Sequence, residues 1–260
     1  MELKLNGRRA LITGASKGIG HGIAENLAKE GVNLYLTARS GDELNVLRDK
    51  LEKQFGVTVS IFPLDLTQTS SLAVLESNCS DIDILINNAG DIPSGSVFDI
   101  DDDKWRRGWD LKVFGYINMC RLFYPILKNN GGGVILNNIG NGGETFDPLY
   151  IAGASGNASL ISFTKALGSN SLDDNIRVLG VNPGPVDTDR IFKILKNRAK
   201  KLYNDENKFV DLLSTYPLGR PAKVEEITDL ISFLVSDCSG YISGTVITVD
   251  GGISSRNSII

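Results

Sequence analysis

Histidine is almost absent from the 260-residue chain. His21 is the single one, and cysteine is limited to Cys79, Cys120 and Cys238. One imidazole and three scattered thiols do not make a usual metal-ligand set, so no metal is expected. The odd, widely spaced cysteines also exclude a disulfide framework and suit a reducing compartment. No apolar run approaches the ~20 residues a membrane-crossing helix requires. Met1–Gly7 leads straight into a strand rather than a secretory leader. Charge of either sign is not in excess, because 27 Lys and Arg against 31 Asp and Glu leave −4. That balance gives no footprint for nucleic acid or an anionic bilayer. The expected setting is cytoplasmic, with neither nucleic acid nor membrane as a partner.

What the chain does have is alternation. β-rich apolar runs at Arg9–Thr13, Val32–Leu36, Val57–Leu64, Ile82–Asn87, Val134–Asn138, Ile176–Asn182 and Thr245–Val249 are separated mostly by helical patterns, among them Gly18–Glu30 and Asp42–Gln54. Strands that alternate with helices join by right-handed crossovers into a parallel sheet covered on both faces. The expected fold is therefore α/β, a single Rossmann-like doubly wound parallel sheet of about seven strands. No repeat, linker or low-complexity tract interrupts it, which predicts one domain over residues 1–260. The least regular stretch is Asp187–Pro217, rich in Lys and Asn.

Between the first strand and first helix stands Thr13-Gly14-Ala15-Ser16-Lys17-Gly18-Ile19-Gly20. Glycines at such a turn let backbone N–H groups approach a pyrophosphate at the helix N-terminus, so a dinucleotide is the expected ligand. NAD sites place a carboxylate about 20 residues further on, for the ribose hydroxyls. Here that place is Thr37-Ala38-Arg39-Ser40, and the first carboxylate is Asp42. Arg39 with Lys17 can pair a 2′-phosphate instead, which favours NADP(H).

Further motifs follow in order: Asp65-Leu66 after the third strand, Asn87-Asn88-Ala89-Gly90, Asn182-Pro183-Gly184 with Thr188, and Val249-Asp250-Gly251-Gly252. Together with the glycine turn they resemble the short-chain dehydrogenase/reductase family, in particular its 3-oxoacyl-carrier-protein-reductase-like members, over Leu5–Gly252. The resemblance implies that Gly14, Ser16, Lys17, Gly18, Ile19, Gly20, Arg39, Asp65, Leu66, Asn88, Ala89, Gly90, Pro183, Gly184 and Thr188 bind the cofactor. It also implies a substrate lid at about 187–217. Pairing of the long helices, at about Lys104–Lys128 and Pro148–Ser169, would give a homo-oligomer, a tetramer or dimer.

The same alignment breaks at the catalytic positions. The family uses Asn, Ser, Tyr and Lys there, and this chain carries Lys112, Gly140, Gly153 and Asn157. The Asn and Lys positions are exchanged. If Lys112 and Asn157 share one pocket, Lys112 returns an ammonium to it, desolvated and suited to proton transfer. The alternative is a lysine that snorkels into solvent. Tyr150 is a second proton donor. Asp147-Pro148 reads as a helix start, which sets Tyr150, Gly153 and Asn157 on one stripe. Glu144 is a weaker acid candidate, and His21 a surface or cofactor-edge residue. Across Gly153–Ala158 small residues replace a phenol and a lysine stem, which enlarges the space over the nicotinamide unless a neighbour fills it. The expected function is an NADP(H)-dependent oxidoreductase of atypical chemistry on an unknown small-molecule substrate. A catalytically silent NADP(H)-binding sensor or partner subunit is the alternative.

Cofactor choice is directly testable. NADPH is expected to bind more tightly than NADH, and Arg39→Asp to narrow or reverse the difference. Equal affinities of the parent protein for the two in a fluorescence titration would contradict the assignment.

Overall fold

The computed structural model describes residues 2–256. Met1 and residues 257–260, the ends of the expected 1–260 domain, lie outside the described residues. Seven parallel strands form one sheet in the order β3-β2-β1-β4-β5-β6-β7: β1 Arg9–Thr13, β2 Asn33–Ala38, β3 Val59–Pro63, β4 Ile84–Asn87, β5 Gly133–Asn138, β6 Ile176–Pro183 and β7 Thr245–Val249. β1 and β7 match the expected runs to the residue. Strand order reverses between β1 and β4, and such a switch point opens a crevice at the carboxyl ends of the strands.

Both faces are covered, as the uninterrupted apolar strands require. All eight residues of β6 are buried. On one face lie α1 (Gly18–Lys29), α2 (Gly41–Phe55) and, late in the chain, Val224–Val235. They pack Ile23, Leu27, Leu47, Leu51, Ile227 and Ile231 against Ile12, Leu36, Ile86 and Val181. The opposite face carries α3 (Thr69–Asn78) and the long helices. Its core is built from Leu75, Met119, Phe123 and Leu127 on Leu11, Leu85, Ile135 and Val178. Each helix turns a stripe at three- and four-residue spacing inward, so burial of that stripe rather than propensity fixes its position.

The first long helix differs from the continuous one expected at Lys104–Lys128. α4 (Asp102–Trp109) is capped by Asp101, whose carboxylate accepts from Lys104 N at 2.8 Å. A π turn follows at Asp110–Phe114, and α5 (Gly115–Asn129) continues from it. The extra residue in a π turn re-aims side chains and gathers at functional sites. Here it carries Lys112.

The second long helix starts later than expected. After a four-residue helical turn, α6 (Gly142–Thr145), α7 covers Ile151–Gly168 rather than beginning at Pro148. The Asp147 carboxylate is consumed by Leu149 N at 2.8 Å, and Asp147 O receives Tyr150 N at 3.0 Å. Asp147-Pro148 therefore makes a turn with proline at its second position, a role that proline's fixed φ serves as well as a helix start. Tyr150 becomes the residue before the helix, not its first turn.

The segment 187–217 is more regular than its composition suggested. It holds α8 (Asp189–Tyr203), where Leu195 and Ala199 are buried four residues apart, and the short α9 (Phe209–Leu213). The Lys and Asn residues that masked this pattern line the outer side. The covering helix Val224–Val235 is α10. Among the described residues no helix is long and apolar enough to cross a membrane.

Candidate active site

The β1–α1 turn is built by glycine. Gly14 and Gly18 hold φ of +66° and +59°, a region that favours glycine. A Cβ at Gly20 would overlap Gly14 O, and one at Gly14 would lie 2.8 Å from Ala89 Cα. The turn is thus pressed against the end of β4. Thr13 Oγ1 accepts from Asn88 N and Ala89 N at 2.9 and 3.0 Å, and Asn88 Nδ2 donates to Thr13 O and Gly14 O. Lys17 precedes α1 and its side chain makes no capping bond, which leaves the first-turn amides to an anion. Ser16 and Ile19 lie half-buried in the same turn. Across from Gly18 stands Thr188, whose methyl would be 3.5 Å from a Cβ there. Gly184 is equally constrained, since its Cβ would lie 2.7 Å from Asp250 Cβ, and Pro183 O receives Asn141 N at 2.9 Å. A dinucleotide fits this cradle.

Toward the other end, a cavity of about 640 Å³ is lined by Arg39, Asp65, Asp91, Arg107 and Leu111 among others. Arg39 is exposed and has no ion pair among the described residues. Asp65 spends one oxygen on Thr67 N and Oγ1 at 3.0 and 2.9 Å. Leu66 is buried in the core, so only its backbone can meet a ligand. Lys17 is exposed but does not line this cavity. Arg107 does line it, and no sequence motif marked it.

Lys112 and Asn157 reach neighbouring carbonyls just past the end of β5. The lysine stem runs along Gly90, where a Cβ would lie 2.9 Å from Lys112 Cδ, and Nζ donates to Ile139 O at 2.5 Å. Asn157 Nδ2 donates to Gly140 O, the next carbonyl, at 3.3 Å. The lysine therefore turns inward and does not snorkel. Burial first, and the charge of Arg190 second, push its pKa down to about 7. Asn157 is 2% exposed and its Oδ1 has no partner. Trp109 anchors the π turn to α7 through Nε1–H donated to Ala152 O at 2.9 Å.

The space beside Gly153 is filled rather than enlarged. A Cβ at Gly153 would overlap the Tyr150 ring, and one at Gly142 would be 3.1 Å from it. Tyr150 thus lies across the residue from which a side chain is missing. Burial raises its phenol pKa, with Arg190 opposing and Asp91 adding. The phenol stays protonated at neutral pH.

Glu144 is not a solvated loop acid. It accepts from Asn182 Nδ2 at 3.0 Å and Thr248 Oγ1 at 2.7 Å, tying β6 and β7 together. His21 pairs with Glu25 at 3.3 Å on α1. Sequence reasoning missed two groups. One is a buried amide chain, in which Asn87 Nδ2 donates to Asn137 Oδ1 and Asn137 Nδ2 to Thr164 Oγ1, both at 2.9 Å. The other is Arg190 on α8, whose guanidinium donates to Gly90 O and Ile92 O at 3.3 and 3.2 Å. A cation two residues after Thr188 was the only signal for it.

The model of the enoyl-(acyl carrier protein) reductase family matches residues 14–254. The oxidoreductase UcpA of Salmonella typhimurium is 32% identical over 261 residues, covering 98% of this chain and 98% of its own. The 7alpha-hydroxysteroid dehydrogenase of Escherichia coli is 29% identical over 254 residues, 96% of this chain and 95% of its own. Among solved structures, L-sorbose reductase from Gluconobacter frateurii, complexed with NADPH and L-sorbose, superimposes with a TM-score of 0.90 at 31% identity. That match covers 98% of this chain and all of the other.

The half-buried Lys112 ammonium couples stability to pH. With a folded pKa near 7 against about 10.4 unfolded, the unfolded chain binds more protons between those values, and stability rises with pH across that window. The parent is expected to gain several degrees in Tm relative to Lys112→Met between pH 7 and pH 10. A Tm difference independent of pH would contradict the assignment.

Proposed function

The chain belongs to the short-chain dehydrogenase/reductase family, and from that premise we propose an NADP(H)-dependent oxidoreductase that handles its proton through Lys112, with Tyr150 positioning the substrate oxygen. The observation that carries this reading is the pair of adjacent carbonyls at 139 and 140, which receive Lys112 and Asn157. Gly14, Gly18, Gly20, Asn88, Ala89, Gly184 and Thr188 would hold the cofactor, with Asp65 at its adenosine end and the unpaired Arg39 at a 2′-phosphate. NADPH, when bound, supplies the hydride. The family's Asn, Ser, Tyr and Lys positions are Lys112, Gly140, Gly153 and Asn157 here, so the proton must come from another group.

Lys112 suits that task. An ammonium with a pKa near 7 is partly charged at neutral pH, can donate to a nascent alkoxide and can be recharged from water. One N–H is held by Ile139 O, which fixes the nitrogen while two others stay available. Tyr150, protonated and laid across Gly153, can hydrogen-bond the substrate oxygen and position it. Asn157 holds the turn at Gly140, and its buried Oδ1 has no partner among the described residues. The reading extends to a cytoplasmic protein that self-associates through α5 and α7, where Phe114 is 49% exposed just ahead of α5. A silent NADP(H)-binding role is the second reading, favoured by the engagement of Lys112 with a backbone carbonyl.

NADPH oxidation followed across ketones, aldehydes and quinones tests the proposal. Lys112→Asn should lower kcat by about 10²–10⁴ at unchanged NADPH affinity, and Tyr150→Phe should act mainly on KM. Undiminished turnover in Lys112→Asn would overturn the role of the lysine. Tight NADPH binding with no acceptor reduced would decide for the silent reading.

A further inference from the structure

Arg190, at the rim of the pocket with 47% of its side chain exposed, has so far been given no role. It sits in the first turn of α8, and its two terminal nitrogens span from that helix to Gly90 O and Ile92 O. Lys112 runs along Gly90 too, so the two cations bracket the same short segment after β4. The guanidinium charge depresses the Lys112 ammonium and opposes the rise in the Tyr150 phenol, which sets Arg190 within electrostatic reach of both.

Its charge is not neutralised there. The two carbonyls carry no net charge, and the carboxylate of Asp91 stands 3.9 Å away with 74% of its side chain exposed. An exposed pair at that separation contributes little. A guanidinium has five N–H donors in a planar fork, and two carbonyl contacts leave several of them unfilled. Two cations flanking the same short segment repel each other, and an anion beside both relieves that repulsion. A planar carboxylate matches the fork in a bidentate contact, which a neutral ketone or sugar hydroxyl does not.

We propose that the carbonyl substrate carries a carboxylate, and that Arg190 of the lid helix binds it while Lys112 and Tyr150 face the carbonyl oxygen. This rests on the oxidoreductase reading above and narrows it to oxo acids and the corresponding hydroxy acids. Arg190 is then a specificity residue. It lets the lid helix close more favourably over an acid than over a neutral compound.

The test uses the full chain, with and without saturating NADP⁺. Pyruvate, acetoacetate and levulinate are titrated calorimetrically beside their methyl esters, which keep the shape and remove the charge. For at least one chain length the acid should bind ten-fold or more tightly than its ester. Arg190→Gln should erase the difference, and Arg190→Lys, which keeps the charge but not the fork, should retain part of it. NADP⁺ affinity should be the same in all three proteins. Equal binding of acid and ester by the parent, or no binding of either, overturns the proposal. So does an Arg190→Gln that weakens acid and ester alike, because that is the behaviour of a latch holding the lid. Acid preference without any turnover would leave the carboxylate site standing and remove the redox reading. Turnover confined to neutral carbonyls would do the reverse.

Discussion

The candidate pocket depends on one electrostatic constraint: a half-buried ammonium that has no carboxylate partner among the described residues. Lys112 enters from a π turn, passes Gly90 and ends on Ile139 O. Taking a charge out of water is costly unless a counter-charge or strong hydrogen bonds offset the loss. A single carbonyl offsets part of it, and the remainder appears as a proton that is easily lost. Everything adjacent follows from that. The neighbouring carbonyl is satisfied by Asn157, a neutral donor, and not by a second ammonium. Arg190 is held at the rim by carbonyls rather than carried into the centre.

Packing enforces the geometry. Gly90 leaves the lysine stem its path, Gly153 leaves the Tyr150 ring its bed, and Gly140, at φ +122°, carries the carbonyl that Asn157 needs. A methyl at Gly90 or Gly153 would drive a side chain out of the pocket, at a cost typical of overpacking, about 1–3 kcal/mol. The tightly packed turn between β1 and α1, locked to the end of β4 by Asn88 and Thr13, fixes the floor on which these groups stand. Sheet, cradle and pocket are therefore coupled through the strand ends rather than through the loops alone.

Much of this was legible in the residues. Continuous apolar β-rich runs marked the strands, and the order of motifs from the glycine turn to Thr188 ordered the site. The family alignment singled out Lys112 and Asn157, and the structure sets them on adjacent carbonyls. The direction of Lys112 was not legible, because apolar periodicity does not encode a π turn. The start of α7 was misread because Asp147-Pro148 serves a helix cap and a turn equally well, and only the hydrogen bond to Leu149 N separates them. The helix α8 was hidden by lysines outside its narrow stripe of Leu195 and Ala199. Arg190 passed as a surface cation, since its partners are backbone carbonyls 98 and 100 residues away.

The protonation of Lys112 in solution tests the account most directly. Lysine side-chain nitrogens can be followed by heteronuclear NMR from pH 5 to pH 11, with the Lys112 signal assigned by its loss in Lys112→Met. The account predicts one lysine titrating near pH 7, apart from a group near 10.4. It also predicts an upward move of that midpoint when Arg190 is replaced by Gln, because a neighbouring positive charge is removed. A Lys112 that titrates with the surface lysines would contradict it, and the pocket would then hold no proton donor of the kind described.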